Sequence, residues 1–595
     1  MSAEKVGEHA TSTSMSSADR SDTPIKSEHG ILAKLRAFEA KLDAKLGIES
    51  EAISRKRPEE KGPVPWHHQL TMFFLWASGT MNTSCFATGF LGWEFGLTLR
   101  QSIVITIFAS ILGGAATGFA ATFGAPTGLR QISVSRYAFG WWPNKVIAAL
   151  NTIVQIGWAS VACITGGLAL TAVADGHISL IVGIVILAVV ATFISFIGLK
   201  AILVYERYAW FVFFIIFMIF FGMTGKYADN STHTELKGAT LSGQVLSLIA
   251  IVYGSSASWQ TMASDYYVHY PANISRLKVF LMTTFGIAIP TSIGMIAGCV
   301  VSSGLNNRAD WKDVYENDGL GFLIQTMIYP RGFAKLILTL LVLSGINVNV
   351  ISIYSAAISC QQFARPFARV PRFIWIILCF AAILGLAVGG REKLNTYLQN
   401  FLSLLGYWCT QYFVILFSEH VIFRKMNFDN YDLEAWNDPR RLPIGIAAGT
   451  AFAIGIIAWV MGMVETWYVG PLVPPNPSVF KDARAKHIRT GTYSKDVSEQ
   501  PGHPLVGYNT FYYNTYGDDP WRGLSVHPKT QRMLLRSLMY LCFPNVVRNK
   551  TPAATVPLFN WVLDKRYRYR KDIGQISEAG TTVPFDKAKQ RSKDF

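Results

Sequence analysis

Long apolar segments recur between residues 70 and 465, and each is close to the length that crosses a bilayer. A membrane-spanning helix needs about 20 mostly apolar residues. Eleven segments meet this requirement, and we number them as spans 1 to 11: 70–97, 101–123, 144–173, 178–199, 205–225, 244–264, 277–303, 333–360, 372–390, 397–423 and 443–465. The pattern therefore predicts an all-α polytopic membrane protein whose membrane domain covers residues 66–470.

Spans 1 and 6 are interrupted by small and polar residues, SGTMNTS at 78–84 and YGSSAS at 253–258. Irregular backbone at membrane depth occurs where it is buried in protein or lines a cavity, because lipid cannot satisfy its polar groups. Broken segments at matching places in two halves of a chain point to a transporter site near the midplane. We therefore predict two broken helices and two repeats of five spans, the second inverted. For either run alone, the alternative is close helix packing through small residues.

Aromatic and polar side chains within the spans predict a cavity for a flat ring. Trp158 in span 3 and Trp259 in span 6 lie among small residues, and two facing indoles can stack on both faces of a planar heterocycle. Buried hydroxyls and amides need partners, and they can bind the edge of such a ring. The polar substrate-binding candidates at the breaks and in span 8 are Ser78, Thr80, Ser258, Asn347, Asn349 and Ser352. For either asparagine, hydrogen bonding between helices is the alternative.

Carboxylates near the spans are few. Glu206 opens span 5 and Asp265 follows span 6. Carboxylates inside a membrane domain are functional candidates by default, and a buried one can carry a proton. We therefore predict proton coupling or gating for both residues. The alternatives are a salt bridge or helix cap for Asp265 and an ion pair with Arg207 for Glu206.

The segments that flank the membrane domain are polar. Residues 1–30 are rich in Ser and Thr and lack apolar periodicity, so we expect disorder. Residues 31–62 begin with apolar residues at helical spacing with lysines between them, which predicts an amphipathic helix on the cytoplasmic membrane surface. The alternative is a helix exposed to solvent on all sides. Residues 471–595 form a polar, basic tail of atypical sequence in which no twelfth span is visible.

Composition and charge support a membrane protein. Charged residues make up 15% of the chain, whereas soluble proteins carry about 25%. The net charge of +16 lies in short loops and tails, so the expected partner is the lipid bilayer and not nucleic acid. Lys and Arg are concentrated before span 1 and after each even-numbered span, which predicts a cytoplasmic N-terminus. The glycosylation sequon at Asn230 then faces outside.

The residues give no indication of an enzyme. The seven cysteines are scattered singly, which is not the spacing of a disulfide framework or a metal site. We see no nucleophile–base pair and no phosphate-binding loop. We expect no cofactor, with a proton as the coupling ion. The sequence does not indicate an oligomeric state.

Three segments resemble the signature of the nucleobase-cation-symport-1 family: GAPTGLRQISVSRYAFGWW at 124–142, IGWASVACITGG at 156–167 and ASDYYVHYPANISR at 263–276. IESEAISRKRPEEK at 48–61 is similar to the fungal purine-cytosine permease subfamily, which also contains vitamin B6 transporters. The resemblance implies a LeuT-like fold with a 5+5 inverted repeat and two further helices. It also implies proton-coupled uptake of a heterocycle at the plasma membrane by alternating access. Trp158 and Trp259 look like the family's two stacking tryptophans.

The chain departs from that family at two polar positions. Purine-cytosine permeases typically have an asparagine one turn after the tryptophan of span 3, where this chain has Ala162, and another in span 8, where it has Ser352. A missing hydrogen-bond partner can change selectivity by orders of magnitude. Three hypotheses therefore stay open: a nucleobase carrier, a carrier of vitamin B6 or another heterocycle, and a transport-inactive, receptor-like homologue.

Overall fold

The computed structural model describes residues 34–37, 41, 53–197, 199–465 and 468–472. The expected disordered segment 1–30 lies outside the described residues, and so does the basic tail beyond residue 472. Of the predicted amphipathic helix within 31–62, residues 34–37 and 41 are described and helical.

A helix occupies each predicted span. In the described part of the chain, eight helices are long and apolar enough to cross a membrane, and shorter apolar helices coincide with spans 4 and 11. The helices of spans 2 to 11 are Leu99–Ala121, Pro143–Val173, Leu180–Ile197, Leu199–Thr224, Gly238–Ala257, Arg276–Gly304, Arg331–Phe363, Arg372–Gly390, Leu394–Ser418 and Ile446–Gly462. The prediction of an all-α polytopic protein is confirmed.

Short helices, turns and one hairpin lie between the spans. The short α-helices are Trp66–Gln69, Gly124–Thr127, Gln131–Phe139, Ala309–Asn317, Leu320–Met327 and Arg365–Ala368. Single helical turns outside the spans lie at Pro58–Glu60, Gly225–Tyr227, Phe428–Asn430 and Leu433–Ala435, and span 10 continues into a π-helical turn at Glu419–Phe423. After span 11, strands β1 (Val464–Glu465) and β2 (Tyr468–Val469) pair antiparallel.

The spans pack in two groups. Spans 1, 2, 6 and 7 contact one another, and spans 3, 4, 8 and 9 form a second group in which span 3 runs along span 8. Members of each group correspond under a shift of five, as expected for two repeats of five spans. Close approach within the first group requires glycine: a Cβ on Gly89 of span 1 would lie 2.1 Å from the Met295 carbonyl oxygen of span 7.

Span 1 is broken where the sequence predicts it. Its helices are Thr71–Thr80, Thr83–Gly89 and Leu91–Glu94, and Met81 and Asn82 leave the helical conformation with ψ angles of 84° and 175°. The break therefore lies within the run at 78–84.

The predicted position of the break in span 6 is wrong by about one turn. The helix continues through Gly254 to Ala257, and short 3₁₀ turns follow at Ser258–Thr261 and Ala263–Tyr266. Gly254 has another function, because a Cβ there would lie 2.5 Å from the Leu402 carbonyl oxygen of span 10. This glycine allows two helices to pack closely, which was the alternative interpretation of the run.

We predict that Gly254→Ala destabilises the protein by about 1–3 kcal/mol, because even one methyl group overpacks the contact with span 10. Gly243→Ala is the matched control in the same helix, since no atom lies within 4 Å of a Cβ at that position. Thermal unfolding of the purified protein in detergent measures both variants. Equal unfolding midpoints for the two variants would contradict the packing argument.

Candidate functional site

A small cavity lies where the broken spans 1 and 6 meet spans 3 and 7. Its lining residues are Thr80, Asn82, Cys85, Trp158, Ser255, Trp259 and Thr291. Three of them, Thr80, Trp158 and Trp259, belong to the binding site predicted from the sequence. All seven side chains are uncharged types, so the cavity offers aromatic faces, hydroxyls, an amide and a thiol.

The two predicted tryptophans face each other across this cavity. Their ring centroids are 6.4 Å apart and their planes differ by 20°, and each side chain is 5% exposed. Carbon atoms in contact are separated by about 3.5 Å, so a third ring between the indoles needs about 7 Å. A heterocycle between the indoles therefore requires them to separate by at least about half an ångström, because the spacing of the ring planes cannot exceed the centroid distance.

Hydrogen bonds and ring contacts fix the orientation of both indoles. Trp158 Nε1 donates to Ser258 Oγ at 3.1 Å, and the Ser258 hydroxyl donates to the Ser255 carbonyl oxygen at 3.1 Å. Trp76 of span 1 packs edge-to-face on Trp259, with centroids 5.9 Å apart. Ser258, a predicted binding residue, thus positions Trp158 and is not among the lining residues.

Asn82 holds the break in span 1. Its Oδ1 accepts the backbone N–H of Cys85 at 2.9 Å, which caps the helix that begins at Thr83. Its Nδ2 donates to the Gly79 carbonyl oxygen at 2.9 Å, at the end of the preceding helix. One side chain therefore satisfies a polar group on each side of the interruption.

The other polar candidates of spans 1 and 8 are buried. Asn347 Nδ2 donates to Ser78 Oγ at 3.3 Å, and Asn349 Nδ2 donates to Cys163 Sγ at 2.7 Å. Ser352 is fully buried in span 8. None of these four residues belongs to the lining set of the cavity.

Asp265 lies away from the cavity, at the loop between spans 2 and 3. Its Oδ1 accepts the backbone N–H of Gln131 at 2.7 Å, at the start of the helix Gln131–Phe139, and its Oδ2 lies 3.8 Å from Arg130. Gln131 Oε1 in turn accepts the backbone N–H of Ser264 at 3.1 Å. Asp265 therefore has the contacts of both alternatives considered above, a helix cap and a salt bridge. Glu206 is in the helix of span 5, and its side chain lies outside the described part of the structure.

A second polar cluster surrounds Glu94 at the C-terminal end of span 1. Tyr315, in the loop helix Ala309–Asn317, donates to Glu94 Oε1 at 3.2 Å. Asn395 of span 10 donates through Nδ2 to Glu94 and to the Tyr315 hydroxyl, the latter at 3.0 Å. The Tyr315 ring stacks on Phe90 with centroids 5.0 Å apart. Spans 1 and 10 are thus tied together at this end.

Sequence reasoning missed several residues of the site. Asn82 and Ser255 lie within the two interrupted runs, so the pattern contained them without distinguishing them from their neighbours. Trp76, Cys85 and Thr291 lie on helical faces whose direction depends on tertiary packing, and no sequence feature singled them out. In the part of the chain that the structure describes, no group of three His, Cys, Asp or Glu side chains could hold a metal ion.

Comparison with known proteins places these features in a family. Residues 66–475 match the family described as "Permease for cytosine/purines, uracil, thiamine, allantoin". The chain is 32% identical to the purine-cytosine permease FCY21 of Saccharomyces cerevisiae, over 77% of this chain and 89% of that protein. It is 33% identical to the purine-cytosine permease fcyB of Emericella nidulans, over 73% and 84% respectively. Identity to the vitamin B6 transporter TPN1 of S. cerevisiae is 28%, over 73% and 83%.

The solved structures with a similar fold include that of Mhp1. Mhp1, a nucleobase-cation-symport-1 family transporter in a closed conformation with bromovinylhydantoin bound, aligns with a TM-score of 0.52 at 16% identity. The alignment covers 68% of this chain and 92% of Mhp1. The predicted LeuT-like fold class is thereby confirmed.

We predict that Asn82→Ala destabilises the protein by about 1–2 kcal/mol, because both helix ends at the break lose their partner. Asn82→Ser should have a smaller effect, since its hydroxyl keeps an N-cap acceptor for the Cys85 N–H and only the donor to the Gly79 carbonyl oxygen is lost. Asn427→Ala is the matched control, because Asn427 caps a short turn in an exposed loop. Thermal unfolding in detergent ranks the variants, and a midpoint for Asn82→Ala no lower than that of Asn427→Ala would refute the assignment.

Proposed function

The chain belongs to the family of permeases for cytosine/purines, uracil, thiamine and allantoin, and we propose that it is a secondary active transporter for a neutral planar heterocycle. Members of this family are membrane transporters, so the chain is not an enzyme, as the sequence predicted. The observation that carries the proposal is the pair of nearly parallel indoles, Trp158 and Trp259, at the junction of the broken spans. Two such rings bind a flat aromatic ligand through its faces.

The uncharged cavity narrows the substrate class. Its hydroxyls, amide and thiol can serve the donor and acceptor edge of a heterocycle, whereas a buried charge without a paired group is costly. We therefore propose neutral heterocycles, such as purine and cytosine nucleobases, over the permanently cationic thiamine and over phosphorylated forms of vitamin B6.

Unphosphorylated vitamin B6 is the second candidate substrate. Ala162 and Ser352 stand where typical purine-cytosine permeases have asparagines, and neither residue lines the cavity. A vitamin B6 transporter is also among the relatives, at 28% identity, which supports this candidate beside the purine-cytosine permeases at 32% and 33%. A transport-inactive, receptor-like homologue is the third reading, and the uptake experiment below separates it from the other two.

We propose that a proton is the coupling ion and that Asp265 or Glu206 takes part in coupling or gating. Support for Asp265 comes from its position, because its carboxylate links the irregular end of span 6 to Gln131 and Arg130 in the loop between spans 2 and 3. Protonation would remove the charge from that link and weaken it. No metal or organic cofactor is part of the proposal.

Uptake of labelled cytosine, adenine and pyridoxine in a transporter-deficient yeast tests the function. We expect saturable uptake of at least one of these compounds, faster at pH 5 than at pH 7.5 and abolished by a protonophore. Thiamine should not compete at similar concentrations. Absence of any uptake by a chain that reaches the cell surface would refute transport, and uptake that is insensitive to pH and protonophore would refute proton coupling.

Trp259→Ala tests the stacking site. Stacking of a base on an aromatic side chain contributes about 1–3 kcal/mol, so we expect KM to rise roughly 5- to 150-fold with surface expression retained. Trp259→Phe should have a smaller effect, because it keeps an aromatic face. Trp210→Ala, which removes an indole that stacks on Phe74 away from the cavity, is the control. Unchanged affinity in Trp259→Ala would remove this residue from the site.

We also propose that the protein lies in the plasma membrane with a cytoplasmic N-terminus, so that Glu94 faces outward and Asp265 inward. Two exposed sequons then lie on opposite sides, Asn230-Ser-Thr outside and Asn273-Ile-Ser inside. In an Asn549→Gln background, which removes a third sequon from the tail, Asn230→Gln should abolish the endoglycosidase-sensitive shift in mobility. Asn273→Gln should leave that shift unchanged. The reverse pattern would invert the orientation.

A further inference from the structure

A carboxylate is buried where strand β1 follows span 11. Glu465 is 5% exposed, and neither carboxylate oxygen has a hydrogen-bond partner among the described residues. The Ser403 and Tyr407 hydroxyls of span 10 interact with the carboxylate electrostatically, without reaching the geometry of a hydrogen bond. Its register partner across the hairpin is Tyr468.

The surroundings of this carboxylate contain no balancing charge. Tyr407 and Tyr468 are the titratable side chains on the elements next to it, and no lysine, arginine or histidine in the described ranges pairs with it. An ionised carboxylate that is buried without a cation is strongly unfavourable. Burial therefore favours the protonated, neutral form of Glu465.

The interface between spans 10 and 11 has other polar groups without partners. The Tyr407 ring stacks on Trp459 of span 11, with centroids 5.3 Å apart. A Cβ at Gly455 would lie 2.5 Å from Gln411 Nε2, so the two helices are in close contact. Gln411 Oε1 and Trp459 Nε1 are buried, and no described residue hydrogen-bonds to either atom. Since buried polar groups ordinarily have partners, this interface is polar beyond what helix packing requires.

Span 10 connects the buried carboxylate to the tryptophan pair. Phe401 packs edge-to-face on Trp158, with centroids 5.8 Å apart. Ser403 follows two residues later, so at about 3.6 residues per turn its side chain leaves the opposite side of the helix. Span 10 therefore lies between Trp158 on one side and Glu465 on the other. A displacement of this helix alters both contacts.

We propose that Glu465 is a proton-binding site, and that the bound proton holds span 10 against span 11 beside the tryptophan pair. This inference rests on the proposed transport function and on the proposed orientation, in which span 11 ends at the outer side and the proton comes from the outer solution. When the proton leaves, the carboxylate requires water or hydrogen-bond donors, so span 10 moves away from span 11. That movement also changes the contact of Phe401 with Trp158.

Infrared spectroscopy of the purified full chain tests protonation without requiring transport. At pH 6, the wild type should show a carboxylic-acid C=O absorption that is missing from Glu465→Gln, whose amide is neutral and similar in shape. Glu316→Gln is the matched control, because Glu316 is an exposed carboxylate in a loop helix. Its spectrum should keep the absorption. Equal carboxylic-acid absorption in the wild type and Glu465→Gln would overturn the proposal.

Thermal unfolding in detergent tests the link to packing. Deprotonation of Glu465 in the folded protein has a free-energy cost that the unfolded chain does not have, so this contribution lowers stability as the pH rises. Between pH 5 and pH 7.5, the unfolding midpoint should therefore fall further in the wild type and in Glu316→Gln than in Glu465→Gln. An equal fall in all three chains would overturn the proposal.

The pH dependence of uptake connects the proton to transport. Glu465→Gln keeps this position neutral at every pH, so the ratio of uptake at pH 5 to uptake at pH 7.5 should decrease about threefold or more. Glu316→Gln should retain the wild-type ratio. A wild-type ratio in Glu465→Gln would overturn the proposal. Absence of wild-type uptake would instead refute the transport function, while the infrared result would still decide whether Glu465 binds a proton.

Discussion

The Asn82 side chain supplies the interaction on which the centre of the molecule depends. A helix that stops inside a membrane leaves carbonyl and N–H groups that lipid cannot satisfy. Asn82 accepts from Cys85 and donates to Gly79 at 2.9 Å each, so span 1 can be interrupted without leaving both ends open. The interruption then allows Thr80, Asn82 and Cys85 to line the same cavity as the two indoles.

In span 6, the polar groups where the helix ends are bonded by residues of another loop. Its α-helix ends at Ala257 and does not resume as an α-helix before span 7 in the described chain; two 3₁₀ turns follow. The Gln131 side chain accepts the Ser264 N–H, and Asp265 returns a bond to the Gln131 backbone. Because these bonds reach another loop, the end of span 6 can change only if the loop between spans 2 and 3 changes with it.

The sequence predicted the features that depend on composition. Apolar length located a helix at each of the eleven predicted spans, and the small polar run placed the break in span 1 correctly. The corresponding run in span 6 predicted the break about one turn too early. A glycine that interrupts a helix and a glycine that allows a neighbouring helix to pack closely look the same in a sequence. Only the contact of Gly254 with Leu402 distinguishes the two cases. The pairing of Trp158 with Trp259 was predictable. The orientation of the Asn349 and Ser352 side chains was not predictable, because the rotation of the span 8 helix relative to span 3 is set by packing.

The short distance between the two indoles connects the proposed ligand binding to a movement of the two groups of spans. The centroids are 6.4 Å apart, slightly less than the roughly 7 Å that an intervening ring requires. Trp158 belongs to the group of spans 3, 4, 8 and 9, and Trp259 belongs to the group of spans 1, 2, 6 and 7. The Trp158–Ser258 and Thr261–Asn151 hydrogen bonds join the same two groups. In the proposed function, a heterocycle between the indoles would push apart the two groups that these bonds join, so the contacts around the ligand would also be the contacts that change when it leaves.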